Sequence, residues 1–204
     1  MDSKSIYLSF LEENKYIDFS AANIQGKAKE LFSGINNDIG KAKTAYEYVR
    51  DEIPHSFDIG AKIITAKASD VLKHHTGICH AKANLLAAFL RAQGIPAGFC
   101  FQRITLADDD SLGYCVHCYN AIFVDNHWIM ADASGNTNGK NAQFSLEKPK
   151  LAFSNRVKYE EYFWEGIYAR LHFDTMIMLE KAASLQDIID NIPDYVNEKP
   201  DIIV

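Results

Sequence analysis

Three side chains of this 204-residue sequence could act together as a nucleophile, a base and a carboxylate: Cys79, His117 and Asp132. Cys79 follows a loop that ends at Gly77, and the apolar residues after it recur with the spacing of a buried helix. A thiol in the first turn of a helix lies at the positive end of the helix dipole, which favours the thiolate. Free N–H groups at the same place can bind an oxyanion. The position suits a nucleophile, although a free cysteine is more often a packing residue.

His117 and Asp132 are expected on neighbouring strands. Residues 114–124 and 127–133 are rich in aromatic and β-branched side chains, and Asp125-Asn126 between them predicts a tight turn. A hairpin around that turn pairs positions whose numbers sum to about 251, so His117 faces a position near 134 and Asp132 is its diagonal neighbour. Because an unpaired carboxylate in an apolar strand is costly, His117 is the expected partner of Asp132.

The chemistry expected of these side chains is acyl chemistry through a thioester. The His117 imidazole takes the thiol proton, and the thiolate and imidazolium stabilise each other. The Asp132 carboxylate fixes the ring tautomer and supports its positive charge. The thiolate then attacks a carbonyl carbon, and water or an amine resolves the thioester. Cys79 is thus the candidate nucleophile, His117 the general base and then acid, and Asp132 the orienting carboxylate.

The periodicity of the chain predicts helices first and strands after them, which is the order of an α+β fold. Helices are predicted over residues 22–32, 41–53, 70–74, from Cys79 to about Gly94, and 184–191. Strands are predicted over residues 97–105, 114–124 and 127–133. Ser69 is expected to cap the short helix, and residues 159–178 to add a helix and a further strand. The tail from Pro193 is expected to be mobile.

Length and composition indicate a single globular domain over residues 1–204. The sequence is 48% hydrophobic and 24% charged, which is ordinary for a globular protein of this size. We divide the domain into N-terminal helices over residues 1–67, a nucleophile helix and sheet over 68–134, and a C-terminal extension over 135–204.

Charge and hydropathy narrow the expected partners and compartment. The net charge is −6 and no cluster of Lys and Arg stands out, so neither nucleic acid nor an anionic membrane surface is expected as a partner. The N-terminal residues lack a basic segment before an apolar run, and no apolar run approaches the ~20 residues of a membrane span. We therefore expect a cytoplasmic protein whose four cysteines are reduced. The oligomeric state stays open.

Two stretches of the sequence resemble the transglutaminase-like superfamily of papain-type cysteine enzymes, in the order of that family. The first is ASDVLKHHTGICHAKANLLAAFLRAQGIPA, in which Cys79 stands where the family keeps its nucleophile. The second is HCYNAIFVDNHWIMADAS, in which His117 falls on the catalytic histidine. Asp132, at the end of the run that starts at Trp128, falls on the catalytic aspartate. The matching residues span about 68–134, a third of the chain.

The resemblance implies a papain-like core, in which the helix with Cys79 at its N-terminus packs on an antiparallel sheet that carries His117 and Asp132. It implies cysteine-dependent chemistry on amide or ester carbonyls, as in the family's protein cross-linkers, peptidases, peptide N-glycanases and deamidases. Hydrolysis of a peptide or amide bond is the expected activity, because most small members of the group look like hydrolases. Acyl transfer to an amine, as in transglutaminases, and a non-catalytic binding or scaffold role are the alternatives.

Some positions depart from the family's pattern. His80 follows the nucleophile where the family often has Trp or another aromatic residue, and Cys118 and Tyr119 follow the histidine where it often has Ala-Trp. The resemblance implies that these residues line the cleft and affect the choice of substrate, although His80 could instead be solvated. A second oxyanion donor is expected from an amide or aromatic side chain within residues 46–60.

Neither a metal nor a cofactor is predicted. No calcium-loop pattern occurs, and two sets of residues offer only weak zinc spacing: His74, His75, Cys79 and His80, and the pair Cys115 and Cys118. Gly77 interrupts the helical spacing of the first set, and the two thiols of the second face opposite sides of a strand. Cys115 could instead lie at the edge of the candidate site.

Overall fold

Helices precede and follow a four-stranded antiparallel sheet in the computed structural model, which describes residues 7–137 and 139–203. The elements before the sheet are helices α1 (Ala22–Leu31), α2 (Asp38–Glu52), α3 (Ala68–His74) and α4 (Cys79–Arg91). The sheet has strands β1 (Ala97–Thr105), β2 (Tyr114–Val124), β3 (His127–Ala131) and β4 (Tyr162–Phe163), in the spatial order β3-β2-β1-β4. Helices α5 (Phe173–Lys181) and α6 (Leu185–Asn191) follow it. The predicted α+β fold is confirmed.

Helix α4 lies at the centre of the fold, packed between α2 and α3 on one side and β1 and β2 on the other. The predicted apolar stripe of α4 is buried, but the polar side chains Lys82, Asn84 and Arg91 are buried as well. Each of them donates hydrogen bonds to backbone carbonyls of neighbouring segments. The acceptors are Ile53 for Lys82, Tyr16 and Ala66 for Asn84, and Glu12, Ala97 and Ala169 for Arg91. These bonds compensate the cost of burying polar groups and tie the flanking loops to α4.

The β2–β3 hairpin has the register that the sequence predicts. Asn120 pairs with Ala131 and Val124 with His127, so paired numbers sum to 251. The turn residues Asp125 and Asn126 have φ values of 51° and 62°, a left-handed conformation that suits a two-residue hairpin turn. Pairing stops at Ala131 rather than at residue 133, and Asp132 therefore follows the strand directly.

The N-terminus of α3 is capped by Asp18, a residue outside the helix, which corrects the prediction that Ser69 is the cap. The helix begins at Ala68, one residue before Ser69. The carboxylate of Asp18 accepts hydrogen bonds from the Ser69 amide at 3.0 Å and the Ser69 hydroxyl at 2.5 Å. A charged carboxylate at a helix N-terminus is a stronger cap than a hydroxyl, since it also faces the positive end of the helix dipole.

The chain after β3 returns to the sheet and packs there. A 3₁₀ turn over Val157–Tyr159 precedes β4, which pairs with β1. The prediction of a mobile tail is wrong, because Val196 is buried and Ile202 pairs with Ile167. Apolar residues of the tail thus contribute to the core. None of the helices in the described ranges is both long and apolar enough to cross a bilayer.

Gly98 on β1 is a position where the fold has no room for a side chain. A Cβ there would lie 2.6 Å from Cγ2 of Ile167 and 2.8 Å from Cε1 of Phe10. Gly98→Ala is expected to lower the free energy of unfolding by about 1–3 kcal/mol, the usual cost of overpacking. Urea denaturation measures this, with Gly26→Ala as the control. Gly26 lies within α1 with nothing near its Cβ position, so its replacement should stabilise by about 0.5–1 kcal/mol. Equal stability of the two variants would contradict this packing.

Candidate active site

Cys79 is the first residue of α4, as the sequence predicts. The residue before it, Ile78, has extended backbone angles and no side-chain cap. Gly77 is required by close packing, since a Cβ there would lie 2.9 Å from the Cβ of Ala81. The Cys79 side chain is partly exposed, which leaves its sulfur at the N-terminus of a buried helix and open to a cavity. This placement favours the thiolate through the dipole of α4.

His117 and Asp132 form a buried pair. Nε2 of His117 lies 2.9 Å from Oδ2 of Asp132, and both side chains are almost fully buried. The carboxylate also accepts the backbone amides of Ser134 and Ala152, each at 3.0 Å. The Tyr46 hydroxyl of α2 donates to the Asp132 carbonyl at 3.0 Å. Every oxygen of the carboxylate thus has a donor, which fixes its orientation and that of the imidazole.

The pKa of His117 is raised and the pKa of Asp132 is lowered, and both shifts favour the charged forms. Burial alone would lower the pKa of His117, but the charges of Asp132 and Cys79 and hydrogen bonds to both raise it to about 10. Burial would likewise raise the pKa of Asp132, but the His117 charge and three hydrogen bonds lower it to about 2. The structure therefore holds an imidazolium–carboxylate pair next to the thiol at neutral pH.

The surroundings of the Cys79 thiol favour its ionisation to the thiolate. Burial would raise its pKa, yet the charges of His80 and His117, with hydrogen bonds from His117 and His55, hold the pKa well below its usual range. Because Nε2 of His117 is bound to Asp132, Nδ1 is the ring nitrogen left to face the sulfur. The structure thus places Cys79 and His117 on the wall of one cavity, with Asp132 hydrogen-bonded to His117 behind it.

His55 is a site residue that sequence reasoning did not identify by name. Its Nε2 accepts a hydrogen bond from the Cys79 amide at 3.1 Å, so it occupies the helix N-terminus of α4. Backbone pairing of His55 with Gly77 holds it there, and its ring stacks near Phe57. The residue lies within the segment 46–60 from which an oxyanion donor is expected. The residues from His55 to Lys67 lack a period, so only the tertiary pairing places His55 at the thiol.

His80 is neither solvated nor part of the cavity wall, which corrects the expectation for this residue. Its side chain has no exposed surface, and its ring stacks on Phe101 of β1 at 6.1 Å. Its Nδ1 lies 3.5 Å from the Cys79 sulfur. The reason is that α4 is buried on all sides, so the residue after Cys79 points into the core. Cys118 and Tyr119 are likewise packed in the core rather than in the cavity wall.

A cavity of about 730 Å³ opens beside Cys79 and His117. Its other walls combine aromatic and charged side chains, among them Phe57, Asp58, Cys115, Lys140, Phe153 and Arg156. The expectation that Cys115 lies at the edge of the site is confirmed. Arg156 is bound to Glu161, and Lys140 lies 3.7 Å from Asp58 and over the Phe153 ring. The volume suits a small molecule or one or two residues of a peptide.

The candidate zinc ligands of the sequence do not converge on one point in the structure. Within residues 7–137 and 139–203, no three His, Cys, Asp or Glu side chains converge as metal ligands would. Cys115 and Cys118 belong to one strand and are both buried, and burial raises both thiol pKa values, which disfavours the thiolate that zinc requires.

The comparison with known families matches the part of the chain that carries the candidate site. The model of the transglutaminase-like superfamily matches residues 25–133, just over half of the sequence, and the match includes all three candidate residues. No curated protein matches the sequence.

Solved structures share the fold at low sequence identity. A candidate cysteine protease from Cytophaga hutchinsonii is 21% identical with a TM-score of 0.51, and the match covers 66% of this chain and 43% of that one. The periplasmic domain of TgpA from Pseudomonas aeruginosa is 17% identical with a TM-score of 0.45, over 65% of this chain and 48% of that one. The chain thus spans less than half the length of these structures, and the likeness to the first is one of fold.

Proposed function

Because the chain belongs to the transglutaminase-like superfamily, we propose that it is a cysteine-dependent hydrolase of peptide or amide bonds. Cys79 is the nucleophile, His117 the general base and acid, and Asp132 the orienting carboxylate. The observation that carries this proposal is the buried His117–Asp132 hydrogen bond of 2.9 Å beside a thiol at a helix N-terminus. A nucleophile, a base and an orienting group in hydrogen-bonded sequence is the arrangement that activates a cysteine.

The reaction begins with the thiolate–imidazolium pair. The Cys79 sulfur forms a bond to the carbonyl carbon of the substrate, and the carbonyl electron pair moves to its oxygen. The C–N bond then breaks as His117 gives its Nδ1 proton to the leaving amine, which leaves a thioester on Cys79. Neutral His117 next takes a proton from water, whose oxygen attacks the thioester. The C–S bond breaks, a carboxylic acid leaves, and the thiolate–imidazolium pair is restored.

Asp132 acts on this cycle through His117. Its carboxylate accepts the Nε2 proton, so Nδ1 is the nitrogen that gives a proton to the leaving amine and then takes one from water. The backbone donors Ser134 and Ala152 keep the carboxylate ionised and in place. The imidazolium of each intermediate therefore lies beside a fixed negative charge.

The oxyanion of each tetrahedral intermediate is expected between the Cys79 amide and His55. In the resting structure these two groups bind each other, so a substrate carbonyl oxygen has to take the place of the His55 nitrogen at the amide. His55 then offers an N–H from the same side in its Nε2–H tautomer. The site would thus gain two donors for the developing charge.

His55→Ala is expected to lower kcat by about 10²–10³-fold with a smaller effect on KM, as for the loss of one oxyanion donor. His55→Gln is the matched control, because its side-chain amide keeps an N–H at a similar reach and should retain more activity. Steady-state kinetics on one substrate measures both variants. An alanine variant with the parent's kcat would exclude His55 from the oxyanion site.

A screen of peptide and amide substrates, quenched in acid, tests the proposed function. Intact-mass measurement should then detect an acyl adduct, and peptide mapping should place it on Cys79. Added amines distinguish hydrolysis from acyl transfer, since a transferase would convert the adduct into a new amide. A folded protein that forms no adduct with any substrate would contradict the proposal and favour a binding role.

A further inference from the structure

A second imidazole contacts the Cys79 sulfur from the core side of the site. Nδ1 of His80 lies 3.5 Å from Sγ, within hydrogen-bond range for sulfur, and the ring has no exposed surface. His117 approaches the same sulfur and also contacts Asp132 and the cavity. His80 and His117 thus both approach the sulfur, and the reaction cycle above gives His80 no role.

Packing alone does not explain a histidine at this position. The ring of His80 stacks against Phe101 at 6.1 Å, in a place that an aromatic hydrocarbon would fill at no cost of desolvation. Nε2 of His80 is buried and has no hydrogen-bond partner among residues 7–137 and 139–203. The only polar contact that the described residues give this ring is thus the reacting sulfur.

In the charged form of His80 both ring nitrogens carry a proton and Nδ1–H donates to the sulfur; in the neutral form the tautomer follows from the surroundings of the two nitrogens. A proton on Nδ1 lets the ring donate a hydrogen bond to the thiolate. The lone pair then lies on Nε2, where none of the described residues donates to it. A proton on Nε2 would instead leave a buried donor unsatisfied and turn a lone pair towards the negative sulfur. The Nδ1–H tautomer is therefore favoured whenever Cys79 is ionised.

We propose that His80 is a second catalytic imidazole, which donates Nδ1–H to the Cys79 thiolate in the resting site and again when the thioester is broken. This inference rests on the proposed function. When water attacks the thioester, the sulfur leaves as a thiolate while His117 is engaged with the water proton. A donor on the opposite side of the sulfur stabilises this leaving group without exchanging a proton.

Other titratable groups lie on both sides of this contact. His117 and His55 reach the sulfur from the cavity side. Behind His80, His172 lies with its ring centre at 6.5 Å, its Nε2 3.5 Å from Glu198. Burial and the charge of His80 lower the pKa of His172, while Glu198 and Asp174 act in the opposite direction. His172 is thus favoured as neutral, so it offers no second cation behind the thiolate.

The test is the rate of Cys79 alkylation by iodoacetamide against pH in the parent protein and in His80→Phe. The phenyl ring keeps the contact with Phe101 but removes the donor. We expect the midpoint of the pH profile to rise by at least about one unit, so that alkylation below the midpoint slows about tenfold. Above both midpoints the two rates should be similar, and urea denaturation of both proteins checks that the fold is retained.

Two further variants separate the contact from packing. His80→Asn keeps a side-chain N–H near the position of Nδ1 and should restore part of the low midpoint. His172→Phe makes the same substitution at a buried histidine that does not touch the sulfur, and it should shift the midpoint less than His80→Phe. The double variant with His117→Ala should react as an ordinary thiol, with a midpoint near ~8.5.

The outcomes separate this inference from the proposed function. A parent midpoint near that of an ordinary thiol would contradict the proposed function itself. A low parent midpoint that His80→Phe leaves unchanged would overturn the role of His80 alone. Equal shifts in His80→Phe and His172→Phe would also overturn it, because the effect would then come from the packing of the core.

Discussion

Cys79→Ser is expected to abolish turnover, with kcat reduced by about 10⁴-fold or more, as for the removal of other catalytic nucleophiles. The reason is that the site is built to stabilise a thiolate. Its helix N-terminus and the charges of His80 and His117 lower the pKa of the Cys79 thiol well below its usual range, while the pKa of a serine hydroxyl starts far above that range. Steady-state kinetics on a substrate from the screen measures the effect.

Cys100→Ala is the matched control for this prediction. Cys100 is buried in β1 outside the cavity, and burial raises the pKa of its thiol to about 12, so it stays protonated. Its replacement should leave kcat close to that of the parent protein. A serine variant that retains turnover, or a loss of equal size in the control, would contradict the role of Cys79.

Asp132→Asn is expected to reduce kcat by about 10²–10⁴-fold, because the amide no longer selects the productive tautomer of His117. The NH₂ group of the Asn side chain donates to Nε2, so the proton of the neutral ring moves to Nδ1. Nδ1 can then no longer accept a proton from water. The buried imidazolium also loses its counter-charge. Breaking a buried pair in this way costs about 3–5 kcal/mol of unfolding free energy.

The pH dependence of stability identifies the cause of this loss. Because the folded pKa of His117 is raised to about 10, its contribution is complete below the unfolded value of ~6.5 and declines as pH rises towards 10. Because the lowered pKa of Cys79 adds stability as pH rises to ~8.5, the net decline in the parent protein should appear only above ~8.5, and urea denaturation should show it there. Asp132→Asn should not show it. Asp110→Asn, in an exposed turn, is the control and should behave like the parent. A decline of the same size in Asp132→Asn would exclude the ion pair as its source.

The sheet and the hairpin register could be predicted from the sequence because local patterns determine them. A period of two gives the bounds of β1 and β2 to the residue, and the left-handed turn at Asp125-Asn126 fixes which residues pair. That register by itself brings His117 near Asp132. The start of α4 at Cys79 follows in the same way from the loop and the apolar residues that flank it.

The remaining features depend on contacts between distant segments. The carbonyl acceptors of Lys82 and Asn84, the cap from Asp18 on α3 and the amide of Ala152 on Asp132 all come from other parts of the chain. Helical spacing can distinguish the two faces of α4 but cannot show that both are buried. For this reason the place of His80 behind the nucleophile could not be predicted.

The most direct test of the central claim is the rate at which iodoacetamide alkylates Cys79 as a function of pH, in the parent protein and in His117→Ala. Peptide mass spectrometry separates Cys79 from the other three cysteines. If His117 stabilises the thiolate, the midpoint of the alkylation profile should lie well below ~8.5 in the parent and higher in the variant. A midpoint near ~8.5 that does not change when His117 is removed would contradict it.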